Sequence, residues 1–128
     1  MDDRELLQQA LLAKQTAYAP YSGYKVGAAL LTEQGKIYTG VNVENASLGA
    51  TNCAERTAVF KAVSEGEQKI TAIAVAADGD AIPQPCGICL QVLAEFGPPG
   101  TRIICGNNNG KFTVYTLGEL LPHAFKLR

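Results

Sequence analysis

"ITAIAVAA", residues 70–77, is a run in which every side chain except Thr71 is apolar. A strand with one wet face alternates apolar and polar residues, whereas a nearly unbroken apolar run marks a strand buried on both faces. Such a strand belongs in the interior of a sheet, with helices above and below it. On its N-terminal side, residues 52–65 read as a helix that stops at Gly66. On its C-terminal side, a second helix follows "PQPCG" (83–87) and ends before "GPPG" (97–100).

Working outwards, "KVGAALLT" (25–32) and "KIYTGVNV" (36–43) flank "EQG", where Gly35 supplies the permissive backbone of a hairpin turn. "TRIICG" (101–106) and "KFTVYT" (111–116) form a second pair around "NNNG". Leu6, Leu7, Ala10, Leu11 and Ala17 fall near helical spacing and predict an amphipathic helix over 3–18 that stops in "APYSGY"; "LGELL" (117–121) closes with a short helix. The order α-β-β-α-β-α-β-β-α predicts a layered α/β fold with a mixed five-stranded sheet and helices on its faces, one domain over residues 1–128.

The totals narrow the function. Eleven Lys and Arg against twelve Asp and Glu leave a formal charge of −1 with no block of like charge, so no nucleic-acid or anionic-membrane partner is expected. No apolar run approaches the roughly 20 residues that cross a bilayer, and "MDDRELLQQA" is acidic and helical, so the expected location is cytoplasmic. In that compartment four cysteines are expected as metal ligands, catalytic groups or buried thiols.

Cys86 and Cys89 straddle the start of a helix and share one face of it. Cys53 opens the preceding helix about thirty residues upstream. Two helices entered from the same sheet edge would bring the three thiols onto one zinc ion, with the helix N-termini favouring thiolates. A C-x-x-C alone also fits a structural zinc clip or a redox pair, with Cys105 as a fourth ligand. Cys105 in the apolar "RIIC" reads more simply as a core thiol, which leaves three ligands and an open position, the pattern of a catalytic zinc site. Glu55 matches either a capping box with Asn52 or a proton carrier beside that open position. Arg56, at i+3 from Cys53, fits a surface arginine or a donor to the ligand sulfurs that offsets their charge.

C-A-E followed about thirty residues later by P-C-x-x-C is the zinc-dependent deaminase signature. With "YAPYSGYKVGAAL", "GVNVENAS" and "ELLPHAF", the chain resembles the small homotetrameric cytidine deaminases over nearly its whole length. That resemblance implies a cytidine-deaminase-like fold of three layers and the hydrolytic deamination of cytidine and deoxycytidine in pyrimidine salvage. It implies one zinc per subunit on Cys53, Cys86 and Cys89, with Glu55 as proton shuttle. It also implies substrate contacts from Tyr24, Asn42, Glu44 and Ala54, with Phe125 packing on the base from a neighbouring subunit. Tyr24 stands where the family commonly has Phe, Leu48 where it commonly has Tyr, and "CGICLQ" places Ile88 and Leu90 where C-G-x-C-R-Q is common. A deaminase of modified nucleosides such as blasticidin S, or a zinc-stapled binding module without turnover, are the alternative readings.

Overall fold

The structure is a computed structural model that describes residues 1–127. Its elements follow the order α1 (Asp3–Lys14), β1 (Val26–Thr32), β2 (Ile37–Val41), a 3-10 turn (Leu48–Ala50), α2 (Ala54–Ser64), β3 (Ile70–Ala77), α3 (Gly87–Phe96), β4 (Arg102–Gly106), β5 (Phe112–Thr116) and α4 (Leu117–Leu120). The five strands form one mixed sheet in the order β2-β1-β3-β4-β5. β3 lies at its centre, antiparallel to β1 and parallel to β4, as its apolar run requires.

The two faces of β3 meet different helices. Ala72, Ala74 and Ala76 pack with Leu6, Leu7 and Ala10 of α1 on one side, where small side chains let the helix lie close. Ile73 joins Ala58 and Val59 of α2 and Leu93 of α3 on the other. The result is three layers, helix, sheet and helices. On the α2 side, a Cβ on Gly40 would lie 2.4 Å from Ala58 N and 2.5 Å from Ala54 O. The absence of that carbon is what seats the first turn of α2 directly on β2.

Three boundaries differ from the sequence expectation, each because tertiary pairing takes over a backbone group. α1 ends at Lys14 rather than residue 18, since Tyr18 forms a bridge with Val43. β2 ends at Val41, and Val43 bridges to Tyr18 and Asn52 instead of extending the hairpin. α2 starts at Ala54, not Asn52, with Cys53 as its N-cap. The capping box does not form, and Asn52 Nδ2 donates to Thr57 Oγ1 at 3.1 Å. Among the described residues no helix is long and apolar enough to cross a membrane.

Candidate active site

The three cysteines converge because two helices begin on the same side of the sheet. Cys53 is the N-cap of α2 and Cys86 the N-cap of α3, with Cys89 one turn inside α3. Their sulfurs lie within 4.8 Å of one another, graded from exposed Cys86 to fully buried Cys89. Tetrahedral zinc with bonds of ~2.3 Å spans roughly 3.8 Å between sulfurs, so the thiols are already gathered to the scale of such an ion. Cys105 is not in the cluster; it is buried on β4, where burial pushes its thiol up to about 12. A closed four-cysteine clip therefore does not form among the described residues, and the donor set fits zinc with one position open.

Charge in the cluster is organised around Cys53. Its thiol is lowered to about 5, first by a hydrogen bond from the Cys89 thiol and then by Arg56. Arg56 Nη2 donates to Cys53 Sγ at 3.3 Å. Cys89 is pushed strongly upward by the same sulfur–sulfur hydrogen bond and by burial. Three thiols crowded into one half-buried site cannot all ionise without a cation among them. Glu55, in the first turn of α2, is only 5% exposed, and burial raises its carboxyl to about 7.

Cys53, Glu55 and Cys86 of this cluster face a cavity of about 420 Å³, while Cys89 and Arg56 stand outside its lining. Cys53, Ala54, Glu55 and Cys86 line it near the helix starts, and Tyr24, Asn42 and Glu44 line it from the strand side. Asn42 Oδ1 accepts from Val26 N–H at 2.9 Å and Nδ2 donates to Tyr24 O at 2.8 Å, leaving one amide hydrogen and one lone pair. Glu44 accepts from the Tyr21 and Ser22 N–H groups and the Ser22 hydroxyl, and that hydroxyl leads in holding its carboxyl below the usual range. Burial raises the Tyr24 phenol above its ordinary value.

Residues 1–106 match the family model described as the cytidine and deoxycytidylate deaminase zinc-binding region. The chain belongs to this deaminase family. It is 51% identical over 125 residues to the cytidine deaminase of Halalkalibacterium halodurans, covering 98% of this chain and 95% of that one. It is 47% identical to that of Sporosarcina psychrophila, with coverage of 98% and 92%. The crystal structure of cytidine deaminase from Burkholderia pseudomallei superposes with a TM-score of 0.93 at 46% identity, covering 98% of this chain and all of that one. The cofactor of this deaminase family member is zinc, one ion per chain, and the three-thiol cluster is the place that fits it.

Not every predicted residue of the deaminase reaches the cavity. Phe125 is 68% exposed and does not line it, lining instead a separate surface hollow with Ala94 and Glu95 of α3. Of the departures from the family pattern, Leu48 and Ile88 are exposed, while Leu90 is buried in the core cluster with Leu93 and Leu117. Ser22, Thr51, Pro83 and Gln84 line the cavity without having been singled out from the sequence. The signal for Ser22 was the turn "APYSGY" itself, whose hydroxyl folds back onto Glu44. Gln84 carries no comparable local signal; its amide is held by the Tyr115 hydroxyl of β5 at 3.3 Å.

Proposed function

We infer that this protein deaminates cytidine and deoxycytidine hydrolytically, each nucleoside and one water giving the uridine counterpart and ammonia, as a step of pyrimidine salvage in the cytoplasm. The observation that carries the reading is a buried carboxylate, Glu55, beside three converged thiols in a nucleoside-sized cavity. Cys53, Cys86 and Cys89 would hold zinc, which when bound supplies the Lewis acidity that lowers the pKa of water at the open position. Glu55, raised to about 7 by burial, is matched to accept a proton from water near neutral pH. It then delivers that proton to the ring nitrogen as the water oxygen bonds to the amine-bearing carbon, and later carries the remaining hydroxyl proton to the amine as the C–N bond breaks and ammonia leaves.

Arg56 keeps one fixed positive charge on the Cys53 sulfur, offsetting part of the negative charge that three thiolates bring to the site. Asn42 and Glu44 present an amide and a carboxylate to the donors and acceptors of a ribose, with Ser22 fixing the carboxylate. Tyr24 and Ala54 supply the adjoining walls of the cavity. Phe125 supplies the ring that packs on the base, and because it stands outside its own cavity it does so for a neighbouring copy. The assembly we infer is a homotetramer with shared sites; the exposed Phe125 ring supports it.

Purified protein assayed by ultraviolet difference against cytidine, deoxycytidine, free cytosine and blasticidin S tests the reading. The nucleosides should be far better substrates than cytosine, since binding energy from the non-reacting sugar serves the transition state. Equal kcat/KM for cytosine and cytidine, or turnover of blasticidin S alone, would contradict it.

A further inference from the structure

The segment that carries Phe125 has little of its own to hold it. Residues 122–127 form no helix or strand. Among the described residues, their hydrogen bonds are two, and both go to one side chain. Gln91 Nε2 donates to Phe125 O at 2.8 Å, and Phe125 N–H donates to Gln91 Oε1 at 3.3 Å. The amide thus pairs with both backbone groups of the residue whose ring is left free, as a strand partner would. Gln91 stands on α3, two residues after Cys89, so a rigid element of the zinc centre is also the tether of the exposed ring.

We propose that Gln91 is a positioning residue for the deamination: its amide fixes the backbone of Phe125 so that the ring is presented at the correct angle to the base in a neighbouring copy's cavity. This rests on the shared-site reading given above. The chemistry suits the task. A side-chain amide offers a donor and an acceptor at the spacing of a peptide group, so it holds φ and ψ of Phe125 while leaving χ1 and χ2 to the substrate. Holding the ring before substrate arrives removes an ordering cost from binding, so the effect belongs in KM. Gln91 does not line the cavity, and its side-chain hydrogen bonds go to Phe125, so kcat and zinc content should be insensitive to it.

The experiment is a double-mutant cycle on the intact protein with cytidine as substrate, using Gln91→Ala, Phe125→Ala and the pair. Gln91→Ala should raise KM roughly three- to tenfold, the effect of losing two partly exposed neutral hydrogen bonds, with kcat within about twofold and one zinc per chain retained. In the Phe125→Ala background, Gln91→Ala should add nothing further, because it acts only through the ring. Gln91→Glu keeps the acceptor for Phe125 N–H and loses the donor, and should fall between wild type and Gln91→Ala. Multiplying effects in the double variant, an unchanged KM in Gln91→Ala, or loss of zinc would overturn the proposal. A Phe125→Ala variant with wild-type KM sinks the shared-site reading and this role together, whereas an impaired Phe125→Ala beside an unaffected Gln91→Ala sinks the role of Gln91 alone. Amide exchange at Phe125 gives a second readout: protection in the wild type and its loss in Gln91→Ala are expected, and equal exchange in both contradicts the tether.

Discussion

Glu55 occupies the first turn of a helix whose N-cap is a cysteine, and it makes no cap of its own. A carboxylate at such low exposure is costly to ionise, which is why its proton affinity rises into the neutral range where proton exchange is efficient. Glu55→Gln keeps the shape and removes the proposed proton carrier. The variant should retain one zinc per chain and lose at least ~10²-fold in kcat, read by ultraviolet assay and elemental analysis. Activity close to wild type would reduce Glu55 to a packing residue. The thiols, Glu55 and Arg56 were legible because their spacing of two and three residues is meaningful on a single helical turn. The Ser22–Glu44 clamp was not, since it depends on a loop folding back across the hairpin, and neither was the failure of the Asn52–Glu55 capping box to form. Asn52 lost its capping role because its backbone is paired with Val43.

At the scale of elements, the order of helices and strands could be read from periodicity and turn residues, while their ends could not, because Tyr18, Val43 and Asn52 pair across the chain in ways no local pattern records. The position of α2 depends on Gly40. A Cβ there meets backbone rather than a movable side chain, so Gly40→Ala must displace the turn that carries Cys53 and Glu55. We expect a stability loss of about 1–3 kcal/mol by urea denaturation, together with weakened zinc retention. Unchanged stability would mean that the contact relaxes freely. A second joint lies at Asp78, which accepts from Lys14 Nζ at the end of α1 and from Lys25 N–H before β1. Its carboxyl is held below the ordinary 3.8, chiefly by the Lys14 hydrogen bond. A depressed pKa contributes stability that is present above the unfolded value and lost as pH falls through the folded one. Asp78→Asn should therefore cost about 1 kcal/mol or less at pH 7, given its partial exposure, and the difference should vanish in the acid range. A gap that widens on acidification would contradict the assignment.

For the whole molecule, the sheet and its two helical layers gather the three zinc-site thiols within one chain, yet Phe125 is left outside that chain's own cavity. The resemblance implies a cross-subunit role for Phe125, whereas the residues of "ELLPHAF" taken alone read as an ordinary apolar segment. The proposed homotetramer would resolve that separation: light scattering on active protein should give four copies, with activity falling when dilution separates them. A fully active monomer would rule out sharing. Whatever the assembly, ammonia should leave cytidine only through a zinc centre built by this chain. The direct measurement is ammonia release from cytidine by purified protein stripped of zinc with a chelator and then titrated with zinc. The account predicts no release from the stripped protein and full recovery at one zinc per chain; release at the original rate without zinc, or none from the fully loaded protein, would contradict it.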